Sequence, residues 1–217
     1  MTGAARVEVA PEVAAAVRPA VLLVDVTPVL EHDPRLDAPL AAAAAALRRA
    51  CDLGGTVTAV RSMYKRLGID PTKTRPSSEA LLRRVRKGEP LPRVNAAVDV
   101  CNWCSAETQL PYGLYDRDRI EGDVTLRVGR PGELYGGIRK DVVHLEGRLA
   151  LADARGPFGN PTADSARTCV QPGATRLLFV IFVPWELPPA AAEGALDLTA
   201  RRAAEYLGAV ERGRGAP

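Results

Sequence analysis

Residues Leu177 to Trp185 form an unbroken apolar run of nine, Leu-Leu-Phe-Val-Ile-Phe-Val-Pro-Trp, and this run constrains the fold more than any other feature. A membrane-crossing helix needs about 20 such residues, so nine are too few. A strand with one face in water alternates apolar and polar side chains, and this segment does not. Its branched and aromatic content over 177–183 therefore predicts a fully buried strand. Residues 20–26, Ala-Val-Leu-Leu-Val-Asp-Val, and residues 6–9 predict two further short strands.

Helices are expected around these strands. Residues 36–52 are rich in Ala and Leu, carry Arg48 and Arg49 near their end, and stop at Gly54-Gly55. A second helical segment covers 56–66 and ends near Gly68. Pro76 opens a short helix that Gly88 closes. It places Leu81, Leu82 and Val85 on one face and Arg83, Arg84, Arg86 and Lys87 largely off it. Pro92 opens a helix over 92–105, and Pro188-Pro189 opens a last one of about 20 residues. Gly-punctuated strands are expected at 124–128, 142–145 and 149–152, a loop at 156–165 and a disordered tail over 212–217. Helices mostly precede strands, which predicts an α+β fold: one domain over residues 1–217, with layered sheets and flanking helices. With 47% apolar and 25% charged residues the chain is globular, and a chain of this size buries about 70% of its extended surface. Arg18 and Asp25 interrupt every apolar stretch near the N-terminus. A secretory signal is therefore not expected, and the cytoplasm is the default, with no membrane partner.

The net charge is +3, but only Lys65, Lys73, Lys87 and Lys140 are lysines among 29 basic residues. Arginine forks suit phosphate, although a coding bias toward arginine produces the same count. A basic stripe, Arg61, Lys65, Arg66, Lys73, Arg75, Arg83, Arg84, Arg86 and Lys87 with Tyr64 interleaved, has only Asp70 and Glu79 as acids. It reads either as a track for a phosphate backbone or as a solvated helix face. Cys51, Cys101, Cys104 and Cys169 are expected to be reduced. Cys101 and Cys104 form one C-x-x-C without a second pair or a nearby histidine, so no metal site is expected and both read as small apolar groups. Phosphate loops, nucleophile elbows, zinc-protease motifs and dinucleotide fingerprints are all absent. His144 reads as structural. The densest polar constellation is Arg93-Val-Asn-Ala-Ala-Val-Asp-Val-Cys-Asn102, in which Asn95, Asp99 and Asn102 share one helix face.

That constellation, followed by Pro111-Tyr-Gly-Leu-Tyr-Asp116 and by Gly159-Asn-Pro-Thr-Ala-Asp-Ser-Ala-Arg-Thr168, resembles the B3/B4 domain. This is the editing module of the bacterial phenylalanyl-tRNA synthetase β subunit, whose runs have the form V-N-N-x-V-D-I-T-N-Y and Q-P-L-H-A-F-D. The resemblance covers about 55–185 and is closest to freestanding B3/B4 proteins. It implies a B3/B4-type fold with a β-sandwich-like core and flanking helices. It also implies a cofactor-independent hydrolase that deacylates mischarged aminoacyl-tRNA in trans, with tRNA rather than DNA as partner. The family's histidine is Gly113 here, and its glutamate falls near Ile181.

On this resemblance Asn102, Gly113 and Asp116 are the catalytic candidates. Asn102 would orient water or the ester carbonyl, the backbone at Gly113 would approach the ester, and Asp116 or Asp164 would pair with the substrate ammonium or a cationic side chain. Asn95, Asp99, Glu107, Asp164, Ser165 and Thr168 are the substrate-binding candidates. Arg61, Tyr64, Lys65, Arg75, Arg83, Arg84 and Lys87 are the tRNA-binding candidates. Each has a structural alternative: a cap for Asn102, a turn for Gly113 and Asp116, loop ordering for Asp164, Ser165 and Thr168. Two other functions stay open, an RNA-binding module without chemistry and a thiol enzyme using Cys101 and Cys104.

Overall fold

A computed structural model describes residues 7–50, 55–138 and 142–215. In chain order it contains β1 (Val7–Val9), α1 (Pro11–Ala14), β2 (Val17–Asp25), α2 (Asp37–Arg49), α3 (Thr56–Arg66), α4 (Ser77–Arg86), α5 (Ala96–Thr108), β3 (Tyr112–Asp116), β4 (Val124–Val128), β5 (Leu134–Tyr135), β6 (Val143–His144), β7 (Leu149–Asp153), β8 (Gly156–Gly159), β9 (Arg176–Pro184), α6 (Pro189–Leu207) and β10 (Val210–Gly215). The expected helix stop at Gly54 and the thiol of Cys51 lie outside the described residues.

The fold is α+β, as expected, and the apolar run is its axis. β9 pairs antiparallel with β2 on one side and with β3 on the other, in a sheet ordered β10-β2-β9-β3. Leu177 to Val183 are fully buried, which explains the missing alternation: α6 and α3 pack against β9, and α5 packs against β3. A second sheet, β1-β4-β7-β8, lends Leu126, Leu149, Leu151 and Phe158 to the same hydrophobic core. β5 and β6 form a separate short pair. Among the described residues, no helix is long and apolar enough to cross a membrane.

Three expected boundaries are corrected. Helix α5 begins at Ala96 rather than at Pro92, because Asn95 is its N-cap and accepts the amide of Val98 at 3.0 Å. Part of the expected 156–165 loop is the strand β8. Residues 212–215 of the expected disordered tail belong to β10, which covers the open edge of β2 with a register shift between Glu211 and Gly213. Arg212 Nε meets Asp25 at 2.6 Å, and Arg214 reaches Asp197 at 2.7 Å. A strand held by backbone pairing and edge charges carries no apolar signature to read.

Candidate functional site

Helix α5 and strand β3 wall a cavity of about 650 Å3. The helix contributes Asn95, Val98, Cys101 and Asn102, a spacing that keeps them on one side of the helix. The strand contributes Tyr112 and Leu114, which alternate onto one face. Thr162, Ala163 and Asp164 close a third side. This volume lies within the range of small-molecule sites, about 300–1,000 Å3.

Two polar groups stand out in its wall. Asn102 is half-buried, and its carboxamide makes no hydrogen bond to any described residue. Asp164 accepts a 2.7 Å hydrogen bond from the Tyr115 hydroxyl. Burial pushes the Asp164 carboxyl up to about 7, and the Tyr115 bond pulls the other way without cancelling it. Among the described residues, the charged ones in the lining are Asp164 and Glu31, both acids. Above neutral pH it is acidic. A carboxamide without a described partner, in one cavity with a carboxylate that ionises near neutrality, suits an ammonium-bearing ligand with a polarised carbonyl. Burial pushes the Cys101 thiol well up, so it stays protonated.

The structure removes several expected residues from this wall. Gly113 is not in a turn. It sits within β3 opposite Val180, and a Cβ there would fall well inside contact with the hydroxyl of Tyr115. Gly159 leaves the same kind of room on the other side of that side chain. The two glycines thus make space for the tyrosine that holds Asp164. We expect Gly113→Ala to lose about 1–3 kcal/mol through overpacking. Denaturant unfolding measures this, and unchanged stability would mean that Tyr115 does not occupy the gap.

Asp116 ends β3, accepts the Asp118 amide at 3.1 Å and pairs with Arg119 at 3.2 Å, away from the cavity. It caps the 3-10 turn over 117–119. Asp99 is buried between Arg93 Nε at 2.6 Å and the Val94 amide at 2.8 Å, and it does not line the cavity. Asn95 does line it, but its oxygen caps α5 and its nitrogen donates to the Val170 carbonyl at 3.0 Å. Glu107 is exposed and pairs with Arg202 at 2.5 Å, across the contact between α5 and α6. Ser165 and Thr168 are buried and bond each other at 3.1 Å, which orders their loop. Neither histidine lines the cavity. Ile181, near which the family's glutamate falls, is buried in β9 opposite Tyr112.

The basic stripe divides in the same way. Tyr64 is fully buried and donates to the Pro161 carbonyl at 3.0 Å, so it offers no stacking surface. Arg61 grips Glu79 with both branches, at 2.8 and 2.6 Å. Arg84 bonds the Pro90 carbonyl at 2.7 Å and pairs with Glu89 at 3.0 Å. Arg75 lies 3.7 Å from Glu79. Lys65, Arg83 and Lys87 are exposed and form no ion pair with a described residue.

Sequence reasoning missed Tyr112, Leu114, Val98 and, above all, Tyr115. The available signal was Gly113 two residues before Tyr115, since a strand puts such a pair on one face. Among the described residues, no group of three or more His, Cys, Asp or Glu side chains is placed to hold a metal ion.

A family model for the B3/4 domain matches residues 59–186. No curated protein matches the chain. Among solved structures, the crystal structure of an N-terminal fragment of the phenylalanyl-tRNA synthetase beta-subunit from Pyrococcus horikoshii is similar, at 13% identity and a TM-score of 0.45. That match covers 88% of this chain and spans 45% of the other.

Proposed function

The chain belongs to the B3/4 domain family, and from that premise we propose that it is a trans-acting hydrolase that deacylates mischarged aminoacyl-tRNA within a single domain. The observation that carries this reading is that the carboxamide of Asn102, without a hydrogen-bond partner among the described residues, lines the same cavity as Asp164. An aminoacyl ester is an activated acyl group. Its hydrolysis requires mainly a held carbonyl, a placed water and relief of the developing oxyanion charge. Asn102 donates its amide N–H to the carbonyl oxygen as that charge grows, or holds the attacking water. Asp164, once ionised, accepts the substrate's α-ammonium and sets the ester's orientation. The water oxygen bonds to the acyl carbon and the acyl C–O bond to the ribose breaks. The ribose oxygen takes up one proton of that water and leaves as a hydroxyl, while the other proton passes to solvent and the amino acid departs with a free carboxylate.

Of the candidates for these roles, Asn102 and Asp164 line the cavity, whereas Gly113 and Asp116 do not. The thiol reading loses support, because burial raises both Cys101 and Cys104. An RNA-binding module without chemistry is the second reading. It is favoured by Gly113, where the family's histidine would stand and where the Tyr115 side chain now fills the space.

The test is incubation of the full chain with a panel of mischarged tRNAs. Hydrolysis of at least one pair above background is expected. Folded protein that binds tRNA without turnover of any pair would select the second reading. On the outer face, Arg83→Ala and Arg84→Ala are each expected to weaken tRNA binding severalfold with kcat unchanged. Each should also lower the slope of log K against log salt by about 1 if it removes a phosphate contact. Titration at several salt concentrations measures this, and an unaltered slope removes these side chains from the interface.

A further inference from the structure

A second depression, of about 420 Å3, adjoins the Asn102–Asp164 cavity, and Ser77, Val143, Thr162 and Ala163 line both. Its charge is opposite. Lys73, Arg75 and Arg148 face it, and among the described residues no acid lines it. The carboxylate nearest to Arg75 Nε is Glu79 at 3.7 Å, and Arg61 already occupies both of its oxygens. The side chains of Lys73 and Arg148 form no ion pair with any described residue. Two polar atoms of this wall, Arg75 Nε and Ser77 Oγ, are shut from solvent without a hydrogen-bond partner. A buried donor left unpaired costs about 1–3 kcal/mol, so a ligand that supplies acceptors there relieves a standing penalty. Arginine and lysine with a hydroxyl between them are the donor set for a phosphate oxyanion.

We infer that this depression binds a phosphate group. A cation-lined hollow beside an acid-lined cavity complements a ligand with an ammonium at one end and a phosphate at the other. An aminoacylated nucleic-acid end has that form. On the deacylase reading, on which this choice of occupant rests, the phosphate is the phosphodiester preceding the terminal aminoacylated nucleoside. Arg75 and Ser77 then register the chain end, and the ester is carried past the shared wall to Asn102.

The test uses binding alone, with the full chain and three probes: adenosine, the dinucleoside monophosphate cytidylyl-(3′→5′)-adenosine, and inorganic phosphate. The dinucleotide is expected to bind about tenfold more tightly than adenosine, as one charge-assisted contact provides. Phosphate should compete with it. In Arg75→Gln/Arg148→Gln the advantage should vanish while adenosine affinity stays the same. Equal binding of the two nucleosidic probes by the unaltered protein overturns the proposal, as does an advantage that survives the double substitution. Phosphate that binds without displacing the dinucleotide also overturns it, since the hollow would then serve a free anion. If the double variant melts early, Lys73→Met is read by the same comparison. A chain that shows the tenfold advantage but hydrolyses no ester refutes the deacylase and leaves the phosphate site standing. A chain that hydrolyses esters without the advantage refutes the phosphate site alone.

Discussion

Asn102→Ala lowers kcat for deacylation by about 10²–10³-fold, or roughly 3–4 kcal/mol of transition-state stabilisation, and leaves tRNA affinity within about twofold. The size follows from what Asn102 lacks in the free protein. Its carboxamide has no partner among the described residues to give up, so its hydrogen-bonding capacity is available where charge develops on the ester oxygen. It is also half-buried on a helix whose neighbouring side chains, Cys101 and Cys104, are packed, so the group is held in place before the substrate arrives. The split between kcat and affinity is what separates this role from a structural one. A cap or packing residue would lower thermal stability and change both parameters together. Glu107→Gln serves as the control, because Glu107 lies at the contact between α5 and α6 and should leave turnover unchanged. Single-turnover hydrolysis at saturating enzyme reads the chemical step directly. An Asn102→Ala protein that hydrolyses the ester at the original rate removes Asn102 from the mechanism.

The parts of this molecule that could be read from its sequence are those whose signal is local. β9 and much of β2 were legible because continuous burial leaves no polar residue in the pattern. α2, α4 and α6 were legible from composition and from Pro and Gly at their ends. Tyr64 was not. Its neighbours Lys65 and Arg66 are exposed, and only the distant Pro161 carbonyl and Thr162 hydroxyl explain why a phenol is buried there. The site was half legible. Asn102 and Asp164 were both singled out, but their residence in one wall depends on a sheet edge that no short window contains. β3 was missed because Tyr-Gly-Leu-Tyr-Asp reads as a turn until β9 supplies a hydrogen-bonding partner. Once that strand exists, Gly113 changes from a flexible point into a gap filled by Tyr115. Asp116 and Asp99 show the converse: acidic residues beside a motif become caps and ion-pair partners when an amide or an arginine stands within reach.

Asp164→Asn stabilises the protein at pH 8 by about 4 kcal/mol and changes its stability little at pH 4, a gain of roughly 8–16 °C in Tm at the higher pH. The sign comes from the raised affinity of the folded carboxyl for its proton. Burial lifts Asp164 from 3.8 to about 7 in the folded chain, whereas the unfolded chain keeps the lower value. Its contribution to stability is therefore fully present below about 4 and is lost as pH rises through about 7. At pH 8 the native protein holds a poorly solvated carboxylate that the unfolded chain would leave in water. Asparagine removes that charge while its oxygen still accepts from the Tyr115 hydroxyl, so the hydrogen bond at 2.7 Å is retained. Function should move the opposite way. Ionised Asp164 is the proposed seat of the substrate ammonium, so Asp164→Asn raises KM at pH 8. In the unaltered protein KM falls as pH climbs through about 7, then rises again as the substrate's own amine, near 7.7–8.0, loses its proton. Thermal melts of both proteins at pH 4 and pH 8, together with KM against pH, decide the matter. Equal Tm differences at the two pH values would mean that Asp164 titrates as an ordinary surface carboxylate. The cavity would then be too wet at that wall to hold an ammonium by charge.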